Sequence, residues 1–376
     1  MPKVTVLMAV YNGERYLQEA IESILNQTFL DFEFLIVNDG SIDSTREIIL
    51  SYNDPRIRLV NNDNNLGLTR SLNKGLQLAK GELIARQDAD DISEPERLAK
   101  QVAFLERHRE VVLVGTWYKE IDAYGKLIGD RQLPCDYIQI RWGLLFYCPF
   151  VHSAVMLRKS TVLEHIGFYD ESLVYAQDYE LWCRIARHLV VANLDEYLLK
   201  LRINPWSMTQ TYGEKTLEGY QISVATVTHL LGWDKTKIDL NEVRFDRMTT
   251  LLFSFGSHGD LNSQNFNSVI EEILQLYTAF CQFYKIDRRD CQIHRAKLCH
   301  HISNQLIQLA HYYFHQDRYF AWQLVVKVYR LHWPMMLEKR YARLLLKLLM
   351  GDRFGKMIKY IRNWQTSKLS KSSTVK

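Results

Sequence analysis

Apolar runs of strand length alternate with amphipathic helical stretches through the first 115 residues, and no other feature restricts the fold as much. Lys3-Val-Thr-Val-Leu-Met-Ala-Val10 is β-branched, apolar and bounded by Tyr11-Asn-Gly13, the pattern of a strand buried on both faces. Tyr16, Leu17, Ala20, Ile21, Ile24 and Leu25 then recur at helical spacing. The same reading predicts strands over Glu33–Asn38, Arg56–Val60, Glu82–Arg86 and Val111–Gly115, with helices over Arg46–Tyr52, Leu68–Ala79 and Glu94–His108. Such repeats build a mostly parallel α/β sheet flanked by helices. Open sheets of this kind bind ligands outside the carboxyl ends of their strands. Tyr11, Asp39 and Asp88 each follow directly on such an end, so three polar positions far apart in the chain should meet on one edge.

The strand predicted over Glu82–Arg86 runs straight into Asp88, Asp90 and Asp91, three carboxylates in four positions. Negative charge packed this densely calls for a cation. A hard divalent ion suits it, because such ions prefer oxygen ligands and often hold substrate phosphates. The alternative is a solvated acidic turn that caps the helix opened by Ser93-Glu-Pro-Glu96. The convergence with Tyr11 and Asp39 favours a site. No G-x-x-x-x-G-K-S/T occurs and the first strand is not followed by G-x-G-x-x-G, so neither a P-loop nor a dinucleotide fold is expected.

Beyond Gly115 the pattern is irregular. Asp122–Lys126 reads as a hairpin turn, Arg141–Phe146 as a short helix, Ser153–Leu157 as a strand and Gly167–Glu171 as a turn. Gln177 opens a helix through Arg187, and Asp178 at its start invites a capping role. From about residue 213 the chain is helical, with helices predicted over Glu218–Leu231, Glu242–Phe255, Ser268–Tyr284, Arg289–Phe314, Tyr319–Leu331 and Met336–Met350. Two domains follow, 1–212 and 213–376, in keeping with a length of 376 residues. Six cysteines without a paired framework, and no secretory leader, point to a reducing cytosol. No run of eighteen apolar residues occurs, so no transmembrane helix is expected. Cys291, His294, Cys299, His300 and His301 match no standard zinc spacing.

Charge divides the chain. Arg318–Lys376 carries fourteen Lys or Arg against Glu338 and Asp352, a net of +12, which leaves −8 on residues 1–317. Leu337, Tyr341, Leu344, Leu345, Leu348 and Leu349 form an apolar stripe flanked by Lys339, Arg340, Arg343 and Lys347, and Phe354, Met357, Ile358 and Ile361 repeat it. Such a helix suits an anionic membrane surface, or else packs on its own domain with a solvated basic face.

Seven stretches in order resemble the family 2 glycosyltransferases, which have the GT-A fold. They are Val6–Gly13, Val37-Asn-Asp-Gly-Ser41, Asn65-Leu-Gly67, Asp88-Ala-Asp-Asp91, His152-Ser-Ala-Val-Met156, Gly167-Phe-Tyr-Asp-Glu171 and Gln177-Asp-Tyr-Glu-Leu-Trp182, spread over roughly residues 1–210. The resemblance implies an inverting, metal-dependent transfer of a sugar from a nucleotide-sugar donor, UDP-linked, to a saccharide or lipid-linked saccharide acceptor in surface-polysaccharide or lipopolysaccharide assembly. It places Tyr11 against the base, Asp39 in a bond to the base, Gly67 in the donor site, and Asp88 at the ribose or metal shell. Asp90 would ligate Mn²⁺ or Mg²⁺, Asp178 would be the catalytic base, and His152 would lie on the acceptor side unless its role is structural. Asp91 has either a functional role or a capping and ordering one. No nucleic acid partner is expected, and the localisation implied is cytoplasmic, at the inner face of the membrane. Asn38 and Asn204 depart from the pattern, standing where an Asp and a His are usual, and Trp206-Ser207 belong to a lid or a plain linker. A sugar nucleotidyltransferase is the rival reading, though Tyr11-Asn-Gly-Glu14 is not its phosphate loop; the other is an idle scaffold acting through its helical tail.

Overall fold

The computed structural model describes residues 1–203, 217–253 and 261–350. The chain divides into two compact units, Met1–Thr226 and Val227–Lys376. The domain change expected at residue 213, and Asn204, Trp206 and Ser207, lie outside the described residues.

The first unit runs β1 (Val4–Val10), α1 (Leu17–Leu25), β2 (Phe32–Asn38), α2 (Thr45–Ser51), β3 (Ile57–Asn61), α3 (Leu68–Leu78), β4 (Leu83–Arg86), β5 (Ile92–Ser93), α4 (Arg97–Arg107), β6 (Val111–Ile121), β7 (Leu127–Arg131), α5 (Tyr137–Gly143), β8 (Met156–Arg158), α6 (Lys159–His165), α7 (Gln177–His188) and β9 (Val190–Arg202). The sheet order is β3-β2-β1-β4-β8-β6-β9-β5, with β7 on β6. From β3 to β4 every pairing is parallel, as the strand–helix alternation demands. Beyond β4 the sheet is mixed: β8 runs antiparallel to both β4 and β6, while β6 and β9 are parallel. "Mostly parallel" therefore describes the N-terminal half. β8, Met156–Arg158, overlaps the strand expected at Ser153–Leu157, whereas β9 interleaves Asn193, Asp195, Glu196 and Lys200 with its apolar positions and does not announce itself by periodicity.

β1 and β2 are buried on both faces. Leu7, Leu35 and Val37 pack with Leu72 and Leu76 of α3, and Val6, Met8, Phe34 and Ile36 pack with Leu17, Ile21 and Ile24 of α1. Each such side chain contributes about 1.5–3 kcal/mol by leaving water. The α3 contact needs Gly75, where an added Cβ would stand 2.3 Å from a methyl carbon of Leu7.

Past the described gap, α8 (Leu217–Leu231) crosses the division between the units, and α9 (Ile238–Phe253), α10 (Phe266–Phe283), α11 (Arg288–Tyr313), α12 (Arg318–Leu331) and α13 (Lys339–Met350) follow. In α13 part of the stripe is core: Tyr341, Leu344 and Leu348 are buried, and the Tyr341 hydroxyl donates to Val325 O at 3.1 Å. The Lys347 ammonium lies 4.2 Å from the Phe314 ring centre, and Arg318 donates to Leu348 O. Leu346 and Leu349 stay exposed. The repeat of the stripe, Phe354 to Ile361, lies outside the described residues. Cys291 to His301 lie within α11, where His301 meets Leu252 O and His300 meets Asn304. No helix among the described residues is long and apolar enough to cross a membrane.

Candidate active site

The loops that follow β1 and β2 are knitted together. Asn12 N donates to Ser41 Oγ, Ile42 N to Asn12 Oδ1, and Gly13 N to Thr45 Oγ1. Tyr11, 46% exposed, stands at the mouth of this loop pair. Asp39 is buried and takes three protein donors: Asn62 Nδ2 at 2.7 Å, Leu66 N at 2.9 Å and Gly67 N at 3.0 Å. Its carboxylate thus folds the loop that carries Asn65-Leu-Gly67. A carboxylate offers about four lone pairs, so about one is left for a ligand. Gly40 turns the chain here at φ +71°, with Asn64 backbone where a Cβ would be. Asn38 donates to Asn61 Oδ1 and accepts from Ser41 N, a double role that a carboxylate in its place could not fill.

At the end of β4, Arg86 is almost wholly buried and organises what surrounds it. Its Nη1 donates to Leu7 O and Gln87 O, its Nη2 to Asp88 Oδ1 and its Nε to His152 Nε2. Burial raises the Asp88 carboxyl, but Arg86 and the hydrogen bonds outweigh it and hold it below the usual range. Ser153 Oγ lies 2.6 Å from Asp88 Oδ2 and also bonds Asp91 Oδ2. One hydroxyl has one hydrogen to give. The Ser153 hydroxyl is therefore shared between the two carboxyls, and burial, then the charges of Asp90 and Asp88, push the Asp91 carboxyl well above the carboxylate range. Asp91 also accepts Arg202 N at 2.8 Å. Arg202 closes the loop from the end of β9: Nε donates to Asp90 O, Nη2 to Glu19, and its guanidinium covers the Tyr16 ring at 4.4 Å. Asp91 therefore orders the loop, while Asp90 is half-buried beside it.

His152 faces inward. Its Nε2 accepts from Arg86 and meets the Tyr169 hydroxyl at 3.0 Å. Burial, then the Arg86 charge, pull the ring down to about 3, so it is neutral. The atom expected on the acceptor side is thus engaged in supporting Arg86. Beneath it, Trp182 of α7 is buried edge-on to His152, Tyr169 and Phe150. Tyr169 is fixed in turn by Asn73 of α3, whose amide bonds both its N–H and its carbonyl.

Asp178 is the second residue of α7, in its first turn, and Ala176 occupies the cap position. Its Oδ1 takes the Tyr179 amide at 2.7 Å. Burial raises its carboxyl to about 6; the Asp88 charge adds to the rise, and the Tyr179 amide opposes it. The structure thus gathers Asp88, His152 and Asp178 around Arg86 and Tyr169 and puts Asp90 beside Asp88, while Asp39 and Gly67 form a second cluster with Asn62. A carboxylate near pKa 6 can take a proton from a hydroxyl at neutral pH.

Among the described residues no group of three His, Cys, Asp or Glu could hold a metal by protein ligands alone. The hard oxygen donors Asp90 and Asp88 nevertheless suit Mg²⁺ or Mn²⁺, which bind through one or two carboxylates and complete their shell with phosphate oxygens and water. Arg86, Ser153, Tyr169 and Arg202 were not singled out as site residues by sequence. Arg86 left one trace, as the sole charge in the Leu-Ile-Ala-Arg strand that precedes the acidic cluster.

Residues 5–166 match the family described as Glycosyl transferase family 2. A glycosyltransferase of Haemophilus influenzae is 32% identical over 253 residues, covering 64% of this chain and 78% of its own. The amylovoran biosynthesis glycosyltransferase AmsE of Erwinia amylovora is 36% identical over 203 residues, covering 53% of this chain and 75% of its own. Residues 1–349 of S. aureus TarS, in complex with UDP-GlcNAc, superpose with a TM-score of 0.51 at 17% identity, covering 93% of this chain and 92% of that one. At that identity the likeness is one of fold, and the fold is of the GT-A type. The strand-end site, the ordered motifs and these relatives agree: the chain is a glycosyltransferase and belongs to glycosyl transferase family 2.

Proposed function

We propose that the enzyme transfers a sugar with inversion from a UDP-linked donor to a hydroxyl of a saccharide or lipid-linked saccharide, in assembly of a surface polysaccharide. The observation that carries this reading is the half-buried Asp178, raised to about 6, within electrostatic reach of Asp88 and Arg86. Asp178 takes the proton of the acceptor hydroxyl as its oxygen attacks the anomeric carbon. The bond from that carbon to the diphosphate oxygen breaks, and its electrons leave with the nucleoside diphosphate. One base and no covalent intermediate give inversion. Asp90 and Asp88 would hold Mn²⁺ or Mg²⁺, which when bound stabilises the charge on the departing diphosphate. Tyr11 packs on the base, and Asp39 offers its remaining lone pair to it. The polysaccharide context accords with the name of AmsE, and the donor class with the ligand of TarS. The basic tail would make contact with an anionic membrane on the cytoplasmic side; of its α13 stripe Tyr341, Leu344 and Leu348 are packed and Leu349 is exposed.

The test is Asp178→Asn, assayed with a panel of nucleotide sugars. The variant should fold, bind donor like wild type and lose about 10²–10⁴-fold in transfer. Transfer within about tenfold of wild type would end the assignment and move the search to Asp170, Glu171 or Glu180.

A further inference from the structure

The three residues before α7 present their amides to one side chain from far along the chain. Glu218, in the first turn of α8, accepts Val174 N at 3.1 Å through Oε1, and Tyr175 N at 2.8 Å and Ala176 N at 3.0 Å through Oε2. These bonds hold its carboxyl below its ordinary value against burial, which acts to raise it. α8 is fixed beside α7 by a second contact, Ser223 Oγ to the Tyr179 hydroxyl at 2.8 Å, and Ile222 packs on the core beneath. Amides at a helix start have no partner within the helix. Here a carboxylate gathers three consecutive ones, two residues from Asp178.

We infer that Glu218 is a positioning residue for the base: it fixes the segment Val174–Ala176 and so aims the Asp178 carboxylate at the acceptor. The inference rests on the assignment of Asp178 as the base. Glu218 lies outside the stretch that matches the family, residues 5–166, so this support comes from the helical continuation of the chain. Tyr175 and Ala176 are bound by charge-assisted bonds, which are about twice as strong as neutral ones. Removing them frees the backbone next to a group whose misplacement by ~1 Å can cost about 10²-fold.

Full-length Glu218→Ala and Glu218→Gln are compared with wild type, alone and combined with Asp178→Asn. The measurements are amide hydrogen exchange, UDP affinity, and release of UDP from UDP-glucose, UDP-galactose and UDP-N-acetylglucosamine. Glu218→Ala should lose exchange protection at Val174–Ala176, keep its UDP affinity and fall about 10²-fold in kcat. Glu218→Gln, which keeps one acceptor oxygen, should recover part of both losses. On the Asp178→Asn background Glu218→Ala should cost nothing more, because the two act through one group. Unchanged exchange at Val174–Ala176, or full additivity with Asp178→Asn, would overturn the inference. An inactive Asp178→Asn beside a fully active Glu218→Ala removes the positioning role alone. A fully active Asp178→Asn removes the base assignment itself.

Discussion

Asp39 and Asp178 are carboxylates of one fold placed in opposite circumstances. Asp39 is buried yet accepts three protein donors, two of them backbone amides of the loop it holds. Asp178 is half-buried, with the Tyr179 amide on Oδ1 and a neighbouring carboxylate at Asp88, and its carboxyl is raised to about 6. The cluster around Asp39 is a satisfied scaffold, whereas the one around Arg86 concentrates charge. The difference teaches that burial alone does not make a carboxylate reactive; burial without enough donors does.

Three measurements press on that contrast. The largest effect is expected at Asp90, where Asp90→Asn removes a charged oxygen ligand and should lower transfer by more than about 10³-fold, with chelation of wild type doing the same. Wild-type transfer that survives exhaustive chelation would break the metal assignment. Next comes the acid limb. A base must be deprotonated, so the rate should be level above pH 6 and fall about tenfold per pH unit below it. The residual rate of Asp178→Asn should lack this limb; a limb that persists belongs to another group. The smallest effect is on stability. Asp39→Ala leaves the Leu66 amide without its acceptor, while Gly67 N keeps Asn65 Oδ1, and should destabilise the first unit by about 1–3 kcal/mol in denaturant unfolding. A change within 0.5 kcal/mol, roughly the spread of neutral surface substitutions, would mean that water replaces the carboxylate and that Asp39 is free for the base.

The parallel half of the sheet was legible because β1 and β2 are long apolar runs, and a run buried on both faces has few other folds open to it. The C-terminal helices among the described residues were legible from the helical spacing of their apolar positions, except that the one expected from Met336 starts at Lys339 after a 3-10 turn over Trp333–Leu337. β8 was only partly so: the expected strand at Ser153–Leu157 begins as a turn of 3-10 helix over His152–Ala154. The apolar stripe in α13 was visible, but its partner was not, since periodicity marks a face without saying whether membrane or protein covers it.

By itself the sequence determined the strand ends, and with them the edge on which Tyr11, Asp39, Asp88 and Asp90 lie, because the carboxyl ends of strands in a parallel sheet share one edge whatever their order. Only the tertiary structure decided what each acid does. Arg86 pairs with Asp88, the Ser153 hydroxyl bridges Asp88 and Asp91, and Glu218 reaches back to the start of α7. The physical reason is that a carboxylate's character is set by the donors, charges and solvent around it, and these come from residues dozens of positions away that meet only when the chain has folded.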